Sequence, residues 1–182
     1  MTRTALLMSG FLFLTPAQAA DNFFAGHFDN KVQIGSASAD KSIPHVIVDI
    51  ETSTKPEWTL WRVRVETESD GAFEQTWAML EERQDHHAAL VPYYQLKQDA
   101  APDAKSFDPG QWLSLEACAL RGGFGPKHLV GFAEGEPCVA VSMNVGARRA
   151  LLPVSFETDG NVLHVDLNLR GKRTSIVAER AP

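Results

Sequence analysis

Short runs of alternating apolar and polar residues, broken by turn-forming residues, are the dominant pattern in this chain. Val46-Ile47-Val48-Asp49-Ile50 and the run from Trp58 to Glu66 read as two strands around a Thr/Ser/Lys/Pro turn. Side chains alternate across a strand, so Trp61, Val63 and Val65 share one face and Arg62 and Arg64 the other. Phe73 to Leu80 is a third candidate, entered by the hairpin-forming Asp70-Gly71. Its alternation is weak, and the pattern also admits a helix through Glu82. Further strands are predicted at Leu129 to Phe132, Val139 to Val145, Arg149 to Thr158 and Val162 to Arg170. Asn144-Val145-Gly146 and Asp159-Gly160 supply turns. The last strand is the cleanest: Leu163, Val165, Leu167 and Leu169 face one way, and His164, Asp166, Asn168 and Arg170 the other. Between Glu81 and Gln111 the pattern loses its period. His86 to Leu90 reads there as a short helix, and Pro92, Pro102 and Pro109 break anything longer. Roughly eight to ten short strands with Gly-bearing turns predict an all-β antiparallel barrel or sandwich, and the pattern does not choose between them.

The N-terminal segment reads differently. Arg3, an apolar run from Ala5 to Leu14 and the small-residue site Pro16-Ala17-Gln18-Ala19 have the form of a secretion signal. Residues 1–20 are therefore expected to be removed, leaving residues 21–182 as a single domain that is periplasmic or secreted and has no membrane span. The formal charge of −6 becomes −7 with the loss of Arg3, the one charged residue in that segment. An acidic balance disfavours nucleic acid as a partner, because phosphate binding needs a clustered positive face.

Enzyme templates are absent. The chain has no Gly-x-Ser-x-Gly elbow, no His-Glu-x-x-His, no Gly-rich phosphate loop and no Cys-x-x-Cys. The six histidines do not fall into ligand spacing, so no metal site and no cofactor is expected. Glu81-Glu82 and Glu134/Glu136 read as surface charge. Arg62 and Arg64 are candidates to hold a ligand carboxylate if they face a barrel interior, since guanidinium forks match carboxylates. The alternative has them outside while Trp61, Val63 and Val65 fill the core. Trp61, Trp77, Tyr93, Tyr94, Trp112 and Phe132 are candidates to line an apolar pocket, Trp61 and Tyr93 foremost.

Two cysteines remain, Cys118 and Cys138. Export and an even count predict that they bond to each other, closing a loop of about 20 residues worth roughly 3 kcal/mol. The competing role is a thiol that binds or carries a ligand. The segment from Cys118 runs through Ala119-Leu120-Arg121, a Gly/Phe turn, Gly131-Phe132 and the acidic Glu134-Gly135-Glu136 to Cys138. Together with Gly26-His27-Phe28-Asp29-Asn30-Lys31-Val32-Gln33 near the mature N-terminus, it resembles the CpcT/CpeT-type phycobiliprotein chromophore lyases. The resemblance implies a lipocalin-like β-barrel with a cavity and a short N-terminal helix, and it makes Asn30 and Gln33 candidate ligand contacts. A structural bond from helix to barrel is the alternative for those two amides.

The chain departs from that family at its C-terminus, which lacks a Trp-Gly and Gly-Pro-(Tyr/Phe) ending. It also departs at Trp61-Arg62-Val63-Arg64-Val65, where many members carry a tyrosine. The expected function is thus an exported carrier of a small apolar or tetrapyrrole-like molecule. The alternatives are a true bilin lyase acting on a cysteine of a client protein, and a non-catalytic protein-binding module.

Overall fold

The computed structural model describes residues 23–36, 42–55, 57–67, 71–84, 87–95, 105, 107–125, 128–133, 153–169 and 172–182. The expected signal segment, the candidate strand at 139–145, and Cys138 lie outside them. The elements are β1 (Gly26–Asp29), α1 (Lys31–Gly35), β2 (His45–Thr52), β3 (Trp58–Thr67), β4 (Gly71–Gln84), β5 (His87–Gln95), β6 (Trp112–Ser114), β7 (Leu120–Gly125), β8 (His128–Ala133), β9 (Pro153–Thr158), β10 (Val162–Leu169) and β11 (Lys172–Arg180). All the pairings are antiparallel. They run β4-β3-β2-β1-β11-β10-β9-β8-β7-β5, with β6 beside β5, and a β4–β5 pairing returns the order to its start. The architecture is an all-β, barrel-like sheet in which chain neighbours are mostly sheet neighbours. No helix among the described residues is long and apolar enough to cross a membrane.

The inward face follows from the alternation. Phe28, Val46, Val48, Ile50, Trp61, Val63, Val65, Leu163, Val165, Leu167, Ile176 and Ala178 belong to one buried cluster. The register explains how they meet: Phe28 lies opposite Val48, Val48 opposite Val63, and Ile50 opposite Trp61. Burying each Val, Leu, Ile or Phe among them contributes about 1.5–3 kcal/mol.

Three expectations change. His86 to Leu90 was expected to be helical, but β5 is a strand that runs through Pro92. Proline lacks only a donor, and its carbonyl still accepts from the Leu115 N–H at 2.8 Å. The helical alternative for 73–82 also fails, because β4 extends from Gly71 to Gln84. Its weak alternation has a physical cause. Trp77, Ala78 and Met79 are all fully buried, because β4 is covered on both faces. Trp77 and Met79 join the inner cluster, while Ala78 joins Trp58 and Leu60 in an outer one packed by Leu80, Tyr93, Phe107 and Trp112. Finally, Glu81 is not surface charge. It shares the face of Trp77 and Met79, lies opposite Leu90 and is 8% exposed, whereas Glu82 is exposed.

The β9–β10 turn forms at Asp159-Gly160 as the sequence predicts. Asp159 Oδ1 accepts from the N–H groups of Asn161 and Val162, at 2.8 and 2.9 Å. Gly160 has φ +87°, and a Cβ there would meet the Phe23 carbonyl oxygen at 2.8 Å, so both backbone and space require glycine.

Candidate functional site

Trp61 belongs to the inner cluster of the sheet. It is fully buried, and its indole N–H donates to Thr59 Oγ1 at 3.1 Å. Its ring meets Phe156 edge to face at 5.3 Å and 76°. In the strand order β3 and β9 are on opposite sides of the circuit, so the pair packs across the core between opposite walls of the sheet. Trp77 lies directly opposite Trp61 in the β3–β4 register. Trp61, Trp77 and Phe156 are thus members of one packed core.

The other candidate residues do not converge on it. Arg62 and Arg64 are on the outer face. Arg62 Nη1 donates to Glu51 Oε1 at 2.6 Å, and Arg64 Nη2 lies 2.9 Å from Glu66 Oε1. Tyr93 is also outside, stacked edge-on to Trp58 at 4.7 Å in a cluster that continues through Phe107 to Trp112. Trp61 and Tyr93 therefore cannot line one pocket. The side chains of Tyr94 and Phe132 lie outside the described set.

Asn30 and Gln33 fasten α1 to the barrel. Asn30 is fully buried; its Oδ1 accepts from the Val46 N–H at 2.8 Å and its Nδ2 donates to the Pro44 carbonyl at 3.0 Å. Gln33 behaves like a peptide group laid along β11. Its Nε2 donates to the Ser175 carbonyl at 3.2 Å and its Oε1 accepts from the Val177 N–H at 3.1 Å. These are the helix-to-barrel bonds that the sequence left open as the alternative. Cys118 is fully buried and is not a free thiol.

Two polar networks on the outer face were not legible from the sequence. In the first, both His45 ring nitrogens meet carboxylates, Nδ1 to Glu66 Oε2 at 2.7 Å and Nε2 to Asp29 Oδ1 at 2.9 Å. Lys31 Nζ also meets Asp29, at 2.8 Å. The carboxylates flank opposite sides of the ring, the geometry of a bridge between β1, β2 and β3 rather than of a metal ligand set. In the second, Asp166 accepts from Ser175 at 2.5 Å, from Ser155 at 2.8 Å and from Arg173 Nε at 2.8 Å, joining β9, β10 and β11.

These bonds set acid behaviour. Burial opposes ionisation of Asp166, but hydrogen bonds from Ser175, Arg173 and Ser155 outweigh it and hold the carboxyl below its usual 3.8. Asp29 is likewise held low: burial opposes ionisation, and the bonds from Lys31 and His45 prevail. A carboxyl whose pKa falls on folding contributes stability in full above its unfolded value, and loses it as pH drops through the lower folded one. Urea midpoints are therefore expected to fall between about pH 5 and pH 3. Asp166→Asn removes the Asp166 share, so the gap between wild type and variant narrows at the lower pH. A gap of equal size at both pH values would show that Asp166 is not responsible.

Comparison with known proteins adds no relative: no protein-family model, curated protein or solved structure matches the chain.

Proposed function

We propose that this chain is a barrel carrier of a small, uncharged apolar molecule, lipocalin-like in plan and a divergent, exported member of the CpcT/CpeT-like group. The observation that carries this reading is the position of the aromatics relative to the charges. Trp61, Trp77 and Phe156 are turned into the barrel, while Arg62 and Arg64 are turned out and bonded to Glu51 and Glu66. A bilin or fatty acid brings carboxylates, and an apolar wall gives such groups nothing to offset their desolvation. An uncharged flat or aliphatic molecule has no such need. The segment that carries the family resemblance, Gly26 to Gln33, supplies β1, the Asn30 anchor and the Gln33 bridge, a structural use that suits inheritance of the fold. The lyase alternative rests on resemblance alone.

Quenching of tryptophan fluorescence by a panel of retinol, a fatty acid, haem and a bilin tests the proposal. Saturable binding is expected for retinol, with affinity unchanged in the double variant Arg62→Gln/Arg64→Gln. A 10- to 100-fold loss of fatty-acid affinity in that variant, roughly what one charge-assisted contact contributes, would return the arginines to the site. No binding by any probe would refute the carrier and leave the protein-binding module. The proposal also keeps the Cys118–Cys138 bond as a clamp on the β7–β8 side of the barrel. Two titratable thiols in denaturing, non-reducing solution would refute that pairing.

A further inference from the structure

We propose that His45 is a proton-operated link that couples α1 and the end of β1 to β3 across the outer face of the sheet, and that loss of one ring proton frees Glu66 while keeping Asp29. The inference does not depend on the carrier reading. His45 begins β2, directly opposite Glu66 of β3. Its Nδ1 meets Glu66 Oε2 at 2.7 Å, and its Nε2 meets Asp29 Oδ1 at 2.9 Å. Ionised carboxylates only accept, so each contact needs an N–H on the ring. Both contacts at once require the imidazolium. The neutral ring carries one N–H and can hold one carboxylate.

The charges around the ring let both forms exist. Among the described residues they are Asp29 from β1, Lys31 from α1, and Arg64 and Glu66 from β3. Further out lie Glu179 of β11, opposite Asp29, and Glu74 of β4, opposite Arg64. Each carboxylate on the ring has a second cation. Asp29 has Lys31 Nζ at 2.8 Å, besides the Lys31 N–H at 2.9 Å, and Glu66 has Arg64 Nη2 at 2.9 Å. With the imidazolium these groups form one network spanning α1, β1, β2 and β3. Without its second proton the network divides into two balanced ion pairs, Asp29–Lys31 and Glu66–Arg64. The proton thus chooses between two satisfied arrangements rather than between order and collapse.

Burial decides which contact the neutral ring keeps. The Asp29 side chain is 10% exposed and the Glu66 side chain 38%. A buried acceptor that loses a donor bears the cost of its desolvation, whereas an exposed one is taken up by water. The neutral ring therefore keeps its Nε2–H on Asp29, and Nδ1 gives its proton to solvent. The Nδ1 lone pair then faces Glu66 Oε2 and turns it toward Arg64 and water. Glu66 is held below its usual range, first by the bond from His45, so it is ionised while the ring titrates. The sign follows: the link is complete when the ring is protonated and is lost as pH rises through the titration of His45.

Nuclear magnetic resonance of the wild-type protein with isotope-labelled histidine and carboxylates tests this between about pH 5.5 and about pH 8.5, the span in which histidine ordinarily titrates. At the acid end both His45 ring nitrogens are expected to carry hydrogen. At the alkaline end Nδ1 is expected to have lost it and Nε2 to have kept it. The Glu66 carboxyl resonance should shift with the same midpoint, and that of Asp29 should move less. Loss of hydrogen from Nε2 instead, a ring that holds the same protons throughout, or a Glu66 resonance that ignores the His45 transition would each overturn the link. A double-mutant cycle of His45→Phe and Glu66→Gln, read by urea unfolding at the same two pH values, adds a second measurement. Coupling is expected at the acid end and its loss at the alkaline end. Equal coupling at both would make the pair merely structural and would overturn the proposal.

Discussion

Replacing Trp61 by alanine is expected to destabilise the fold by about 3–5 kcal/mol, the range for deleting a large buried aromatic. Three features place it at the upper end. The side chain is fully buried. It reaches Phe156 on the far wall, so its loss removes a contact between opposite sides of the barrel rather than between neighbours. It also leaves the buried Thr59 hydroxyl without the indole donor. Domains are stable by only about 5–15 kcal/mol, so the variant should be partly unfolded near physiological temperature. Trp61→Phe keeps an aromatic edge and loses the hydrogen bond and some volume, for about 1–2 kcal/mol. Arg62→Gln, the next residue of β3 and on its outer face, should fall under about 1 kcal/mol, because the pair it breaks is partly solvated. Urea unfolding followed by far-ultraviolet circular dichroism reads all three without relying on tryptophan emission. A cost below about 1 kcal/mol for Trp61→Ala would mean that the lumen is not closed by this contact.

The sequence showed most of this core because the barrel is covered on one face over most of its length. Leu163, Val165 and Leu167 are buried while His164 is exposed, and the alternation reads directly. It becomes illegible where a second layer is added. Trp58, Leu60, Ala78 and Val91 are buried on what would otherwise be the solvent side, under or beside the segment carrying Phe107 and Trp112. A strand buried on both faces has no period of two to detect, and that is why β4 looked ambiguous and β5 looked helical. β11 was not anticipated for the opposite reason. Lys172 to Ser175 is polar on both sides, and only Ile176 and Ala178 turn into the core. Its strand conformation comes from eight-residue pairing with β10, not from its own pattern.

The candidate site was legible in part. Alternation puts Trp61 on the face of β3 opposite Arg62 and Arg64, and it leaves open which of the two faces is inward. Chain pattern alone could not say which face of β3 was the interior. The partners that answer the question, Glu51 and Glu66, come from a register that only the folded sheet defines. Tyr93 illustrates the same limit. Opposite Ala78 it faces outward, whereas a shift of one residue would have turned it in. Adjacent Glu81 and Glu82 carry no sign of which one a strand turns inward, and only the β4 register decides for Glu81.

Arg180→Met is expected to be the second costly change, at about 2–3 kcal/mol, although it lies near the chain end and in a polar stretch. Its guanidinium collects three backbone carbonyls, those of Ala25 at 2.7 Å, Phe23 at 2.8 Å and Gly160. It also lies over the Phe28 ring, 5.1 Å from the centroid. One side chain thus ties the entry to β1, the β9–β10 turn and the end of β11 at one rim of the barrel. Hydrogen bonds from a charged donor contribute about 1.5–3 kcal/mol each, and partial exposure of the residue keeps the total well below the sum of three. Methionine keeps much of the stem and the contact with Phe28, so the loss isolates the donors. Gly26 offers an independent check, because a Cβ there would sit 2.3 Å from Arg180 Nη1. Gly26→Ala should therefore displace the guanidinium, and in the Arg180→Met background it should cost less than in wild type. Thermal unfolding of the four proteins of this double-mutant cycle measures the coupling. Strict additivity would show that Arg180 does not hold the rim together.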